Sequence, residues 1–100
     1  AKSMKEKSVR TKILAYLNSL PEADFEISPP NSPTGKPDIT GCLNGRYVAI
    51  EVKRPKKAGG RNAEPHQIYR LRQLAKAGAL CMVARSVAEV REQLSIDFKP

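Results

Sequence analysis

A chain of 100 residues with 40% hydrophobic content fits one compact domain, residues 1–100, whose thin core must come from Ile, Leu, Val and Ala, since only three Tyr and two Phe add aromatic volume. Eighteen Lys and Arg against ten Asp and Glu leave a net charge of +8, a field that draws polyanions, nucleic acid first and anionic membrane second; the plain alternative is a surplus that only aids solubility. No apolar run reaches the ~18 residues that span a membrane, the start of the chain lacks a secretory apolar stretch, and Cys42 and Cys81 lack metal-ligand spacing and read as small hydrophobes in a reducing compartment, so an intracellular, cytoplasmic and soluble protein is expected.

In chain order, residues 3–20 set Val9, Ile13, Leu14, Leu17 and Leu20 on one helical stripe, with Ser3 as a candidate cap and Pro21 beyond the end. Phe25-Glu26-Ile27-Ser28 is a short extended piece, followed by a loop from Pro29 to Pro37 rich in Pro, Ser and Gly. Asn44-Gly45 between two apolar runs predicts a β-hairpin with strands at about 38–43 and 46–53. Arg54 to Ala63 reads as a mobile basic loop. A second helix is expected over 64–77, burying Ile68, Leu71, Leu74 and Ala75 and ending near Gly78. Ala79 to Ala84 is a buried strand, and Ser86 opens a last helix with Val87, Val90 and Leu94 inward. The order α-β-β-β-α-β-α packs as an α/β domain, a mixed central sheet flanked by helices.

With Asn44 and Gly45 as the two loop residues, Leu43 pairs with Arg46, Cys42 with Tyr47, Thr40 with Ala49 and Asp38 with Glu51. A bulge near Gly41 would shift this register by one. Alternation then puts Val48, Ile50 and Val52 on a core face with Ile39 and Leu43, and Asp38, Glu51 and Lys53 on the other. Opposed residues hold their Cβ atoms about 4.5–5.5 Å apart, where like charges are destabilising. A hard divalent cation would neutralise such a pair, and Mg²⁺ takes one or two carboxylates while keeping several waters. The ordinary alternative is a solvated charge pair between Glu51 and Lys53. Against it, the run from Tyr47 to Val52 is too apolar for a routine edge strand, and Asp38 directly follows the rigid Gly35-Lys36-Pro37.

The segments Gly35-Lys36-Pro37-Asp38-Ile39-Thr40-Gly41 and Ile50-Glu51-Val52-Lys53-Arg54-Pro55, then Gln67, resemble the PD-(D/E)XK nuclease superfamily and, more narrowly, its VRR-NUC domain. The closing segment from Ala77 to Val83, with Ser86 and Val90, fits the same pattern, so the resemblance runs roughly from Glu6 to Leu94. It implies a restriction-endonuclease-like core and a metal-dependent, structure-selective DNA endonuclease that hydrolyses phosphodiester bonds in Holliday junctions or other branched DNA. A stand-alone member is implied to be a homodimer, in a bacterial or phage-type context. Asp38 and Glu51 would bind Mg²⁺ or Mn²⁺ with the Val52 backbone carbonyl, Lys53 would orient or activate the attacking water, and Gln67 would help position the water or the metal shell. The alternatives are a nickase or trimming nuclease for flaps or forks, and a non-catalytic nucleic-acid-binding module with a retired centre.

Other residues divide between structural and functional readings. Gln67 lies one turn before Leu71, beside the buried stripe; a boundary Gln bonded to backbone competes with the functional role. Glu6 shares the inward face with Val9 and Ile13; the resemblance implies an additional metal ligand there, and the alternative is the end of a capping box begun at Ser3. Glu89 closes a second capping box with Ser86 and reads as structural. His66 is read as an exposed first-turn residue rather than a general base. Lys36, Arg54, Lys56, Lys57 and Arg61 are candidate phosphate contacts, against the alternative of a solvated charge run. Tyr16, Tyr47 and Tyr69 are read as packing residues.

Overall fold

The computed structural model describes the backbone of residues 2–56 and 59–97 and the side chains of 6–56 and 59–96. Helix α1 (Lys2–Asn18) leads through a turn into β1 (Ala23–Ile27). Then come β2 (Ile39–Leu43), β3 (Arg46–Val52), α2 (Pro65–Lys76), β4 (Leu80–Ala84) and α3 (Val87–Asp97). The predicted α-β-β-β-α-β-α order holds. The helix expected from residue 3 begins one residue earlier, which puts Ser3 inside the first turn rather than at a cap.

One four-stranded sheet runs β1-β2-β3-β4, antiparallel across the first three strands and parallel between β3 and β4. The parallel pair is joined through α2, as a crossover requires. Asn44 and Gly45 both take positive φ, 52° and 83°, the type I′ turn that suits strand twist. The register is the expected one, from Leu43 opposite Arg46 to Ile39 opposite Ile50. Gly41 pairs with Val48 without a bulge; a Cβ there would collide with the backbone of Asp24 and Phe25 on β1.

The two faces are covered differently. Ile39, Leu43, Val48, Ile50, Val52, Leu80 and Met82 meet Ile13 and Leu17 of α1 and Val90 and Leu94 of α3 in one apolar cluster. Asn18 fastens α1 to the sheet: its side chain accepts from the Phe25 N–H at 2.9 Å and donates to the Phe25 carbonyl at 3.1 Å. Among the described residues the other face is covered mainly by α2, over β3 and β4. Beyond buried Thr40 the β1–β2 half stays open, so Cys42, read as a small hydrophobe, is exposed beside exposed Tyr47. Tyr69 also departs from its packing role at 65% exposure, and Ala75 is exposed because α2 buries Leu71 and half-buries Ile68 and Leu74. Among the described residues no helix is long and apolar enough to cross a membrane.

Candidate active site

Pro37 and Asp38 decide how the hairpin ends. Pro37 is fully buried and its carbonyl accepts the Ser28 hydroxyl at 2.6 Å. Regular pairing of β2 with β3 therefore stops at Ile39. Asp38 lies one residue before the strand: its main-chain carbonyl accepts the Ser28 N–H, and its Oδ2 accepts the Val52 N–H at 2.8 Å. A carboxylate thus takes the place of the next ladder acceptor. It holds Asp38 against β3 on the side where Glu51 emerges.

Glu51 is 3% exposed, a carboxylate in a strand whose other buried members are apolar. Its Oε2 accepts from Gln67 Nε2 at 2.9 Å and lies 3.8 Å from Lys53 Nζ. Burial is the largest influence on its protonation, followed by the charge of Asp38 and a hydrogen bond with it; Lys53 opposes them, Glu6 adds a smaller push, and the carboxyl is raised to about 8. The sequence-predicted set of Asp38, Glu51, Lys53 and Gln67 is therefore one contiguous group, and half-buried Glu6 lies near enough to influence it.

Gln67 unites its two competing readings. Its Oε1 accepts the Glu64 N–H at 2.8 Å, closing a capping box at the start of α2, while its Nε2 reaches Glu51. The same amide orders the helix and orients the carboxylate. Glu64 is an unusual cap residue, so the box was hidden in the sequence.

Arg10, absent from the sequence reading, is the other addition. Its Nη1 stands 3.9 Å from Asp38 Oδ1, and both side chains are about a quarter exposed. The spacing from Glu6 to Arg10 is one helical turn, so both point to the same end of the sheet.

The donor chemistry fits a hard divalent cation. Two carboxyl groups share a hydrogen bond, and burial together with the Asp38 charge pushes the pKa of one of them, Glu51, up to about 8. Among the described residues no three His, Cys, Asp or Glu side chains form a metal cluster. Two carboxylates with water in the remaining positions is the Mg²⁺ style of binding, rather than a protein cage.

The predicted phosphate contacts separate. Lys36, Lys56 and Arg61 are exposed; Lys56 donates to the Asn62 side chain at 2.6 Å. Lys57 lies outside the described residues. Arg54 is turned inward at 8% exposure, and its guanidinium donates to the Gly59 carbonyl at 2.8 Å, so it supports the loop instead of facing solvent. The loop expected to be mobile is tied in its described part: Arg85, just after β4, donates to the carbonyls of Arg54 and Arg61, both at 2.8 Å. Glu89 is structural as read, accepting the Arg85 N–H while Ser86 Oγ accepts the Glu89 N–H. His66 is exposed on the first turn of α2.

Two solved structures share this architecture. One, described as "VRR_NUC domain", aligns with a TM-score of 0.74 and 23% identity over 96% of this chain and 98% of its own. Another, a "VRR_NUC domain protein", aligns with a TM-score of 0.73 and 22% identity over 95% of this chain and 88% of its own. No protein-family model and no curated protein matches the sequence. The fold of this chain is that of the VRR-NUC domain.

Proposed function

We propose that this protein is a Mg²⁺- or Mn²⁺-dependent deoxyribonuclease that hydrolyses phosphodiester bonds at the end of the sheet where Asp38 and Glu51 meet. The observation that carries this reading is Glu51, a buried carboxyl beside a second carboxylate, with Gln67 and Lys53 on one of its oxygens. A purely structural position would be filled better by an apolar residue, since an acid this deep costs stability when it ionises. A fold like that of VRR-NUC structures and a net charge of +8 point the same way.

Asp38 and Glu51 would hold the cation, with the Val52 carbonyl and Glu6 as further candidate oxygens. The cation, when bound, supplies Lewis-acid stabilisation of the phosphoryl oxygens and lowers the pKa of water. Gln67 fixes the Glu51 carboxylate through its Nε2 while its Oε1 is anchored at the cap of α2. Lys53 keeps a positive charge 3.8 Å from Glu51, where it orients the attacking water and stabilises charge developing on the phosphate. Exposed Lys36, Lys56 and Arg61 add sequence-independent attraction for the backbone of the nucleic acid.

The substrate proposed is branched DNA, with the four-way junction first, cut by a homodimer that places one centre on each of two strands. Purified protein is to be incubated with a four-way junction, a flap and a linear duplex, in Mg²⁺, Ca²⁺ or EDTA. Cutting of the junction in Mg²⁺, little in Ca²⁺ and none in EDTA is expected, because Ca²⁺ fills such sites with looser geometry. Equal turnover in Ca²⁺, or no divalent-dependent cutting of any of the three, would refute the assignment.

A further inference from the structure

A cleft of about 480 Å³ opens directly beside Asp38, between the loop from Pro29 to Lys36 and the start of α2. Pro29, Pro30 and Pro33 line it together with His66, Arg10 and Asp38. The walls are set firmly: Gly35, at φ +87°, packs so closely on α2 that a Cβ there would stand 3.1 Å from the His66 carbonyl oxygen. The Ser32 hydroxyl donates to the Pro29 carbonyl at 2.7 Å and closes the loop on itself.

Arg10 is under-satisfied where it sits. Its contact with Asp38, at 3.9 Å, is too long for a hydrogen bond. Its Nε is buried and has no hydrogen-bond partner among the described residues. A buried donor left unpaired is destabilising, and a guanidinium matches a phosphate through two parallel bonds. A phosphate seated in the cleft that Arg10 lines would supply such an acceptor.

We propose that this cleft seats one unpaired nucleotide of the strand being cut, its base between the proline wall and the His66 ring and its phosphate on Arg10. The inference rests on reading the neighbouring centre as a DNA-cutting site. A base still stacked in a duplex offers no face to such walls, whereas an unpaired or extruded one does. Imidazole and proline rings provide flat, weakly polar surfaces for a base and sugar, and a stacked base is held with little regard to its sequence. The seat selects DNA in which a nucleotide beside the cut is free to leave the stack, which branch points supply and continuous duplex does not.

The test is fluorescence anisotropy in EDTA, with a fluorescein-labelled single-stranded oligothymidylate and a blunt duplex of equal length as probes. The proteins compared are the wild type, Arg10→Gln, His66→Ala and Lys12→Ala. Lys12 is an exposed cation two residues along α1 and so on its other side. Arg10→Gln is expected to weaken oligothymidylate binding about tenfold. His66→Ala should weaken it about fivefold, and Lys12→Ala should cause a smaller loss common to both probes. His66 is exposed, so its replacement leaves the core intact even if Arg10→Gln lowers the melting temperature.

Equal losses for Arg10→Gln and Lys12→Ala, or an effect of His66→Ala as large on the duplex as on the single strand, would overturn the seat. The titrations need no catalysis. A protein that cuts DNA yet shows no Arg10 and His66 dependence loses the seat alone. One that binds the strand through both residues but cuts nothing loses the nuclease reading alone.

Discussion

From Val48 onward, strand β3 is buried on both faces, and the two faces are buried for opposite reasons. Val48, Ile50 and Val52 are fully enclosed by apolar neighbours from α1, α3 and the rest of the sheet. Their burial stabilises the fold by removing hydrocarbon from water. On the reverse, Ala49 lets α2 approach, and Glu51 then puts a carboxyl where water is nearly absent, next to Asp38. That arrangement opposes folding at neutral pH and is relieved by whatever neutralises the pair. One strand therefore carries the core on one side and the proposed centre on the other. Substitutions on the two sides should have opposite consequences.

The largest effect is expected from neutralising the charged side. Glu51→Gln and Asp38→Asn should each lower Mg²⁺-dependent cutting by about 10³-fold or more, measured as single-turnover rates. Glu51→Gln should at the same time raise the melting temperature of the metal-free protein at pH 8. A melting temperature that fell instead would break the contrast between the faces. On the apolar side, Ile50→Ala should destabilise by about 2–5 kcal/mol in urea titrations, because the cavity is lined on every side.

Acidity sharpens the contrast further. Glu51 carries a folded pKa of about 8 against an ordinary value of 4.5, so the folded state binds the extra proton. The associated stability is fully present below pH 4.5 and is lost as pH rises through about 8. Between these values the metal-free protein should lose up to about 1.4 kcal/mol per pH unit from this group. Glu51→Gln should flatten that slope, as read from urea midpoints across the range. The smallest effect is expected at Gln67. Its replacement by Ala removes a cap bond worth about 1 kcal/mol and, by loosening Glu51, about tenfold in rate. A change in rate without any change in stability would separate the two roles that one side chain joins here.

The hairpin was legible because its determinants are local. Asn44-Gly45 selects the turn, the turn selects the register, and alternation then sorts Val48, Ile50 and Val52 from Glu51 and Lys53. The cluster of Asp38, Glu51, Lys53 and Gln67 followed from the same count and from the resemblance. What escaped were contacts made across long stretches of chain. Arg85 lies 31 residues from the Arg54 carbonyl it holds, and nothing near Arg54 announces that partner. Arg54 itself was read from its charge as a surface residue, but a guanidinium that finds a loop carbonyl can be buried. Arg10 was visible only as a cation one turn after Glu6; its meaning came from Asp38, 28 positions later in the chain. Cys42 and Tyr47 were misplaced because alternation tells which face a residue takes and not whether a helix covers that face.

The central claim is that the Asp38–Glu51 pair is built for a divalent cation, and Mn²⁺ binding tests it without requiring the right DNA substrate. Mn²⁺ is to be titrated at pH 7 into the wild type and Glu51→Gln, following heat and melting temperature together. Saturable binding that raises the melting temperature of the wild type, and its loss in Glu51→Gln, is the predicted result. Equal binding by both proteins, or none by the wild type, would contradict it.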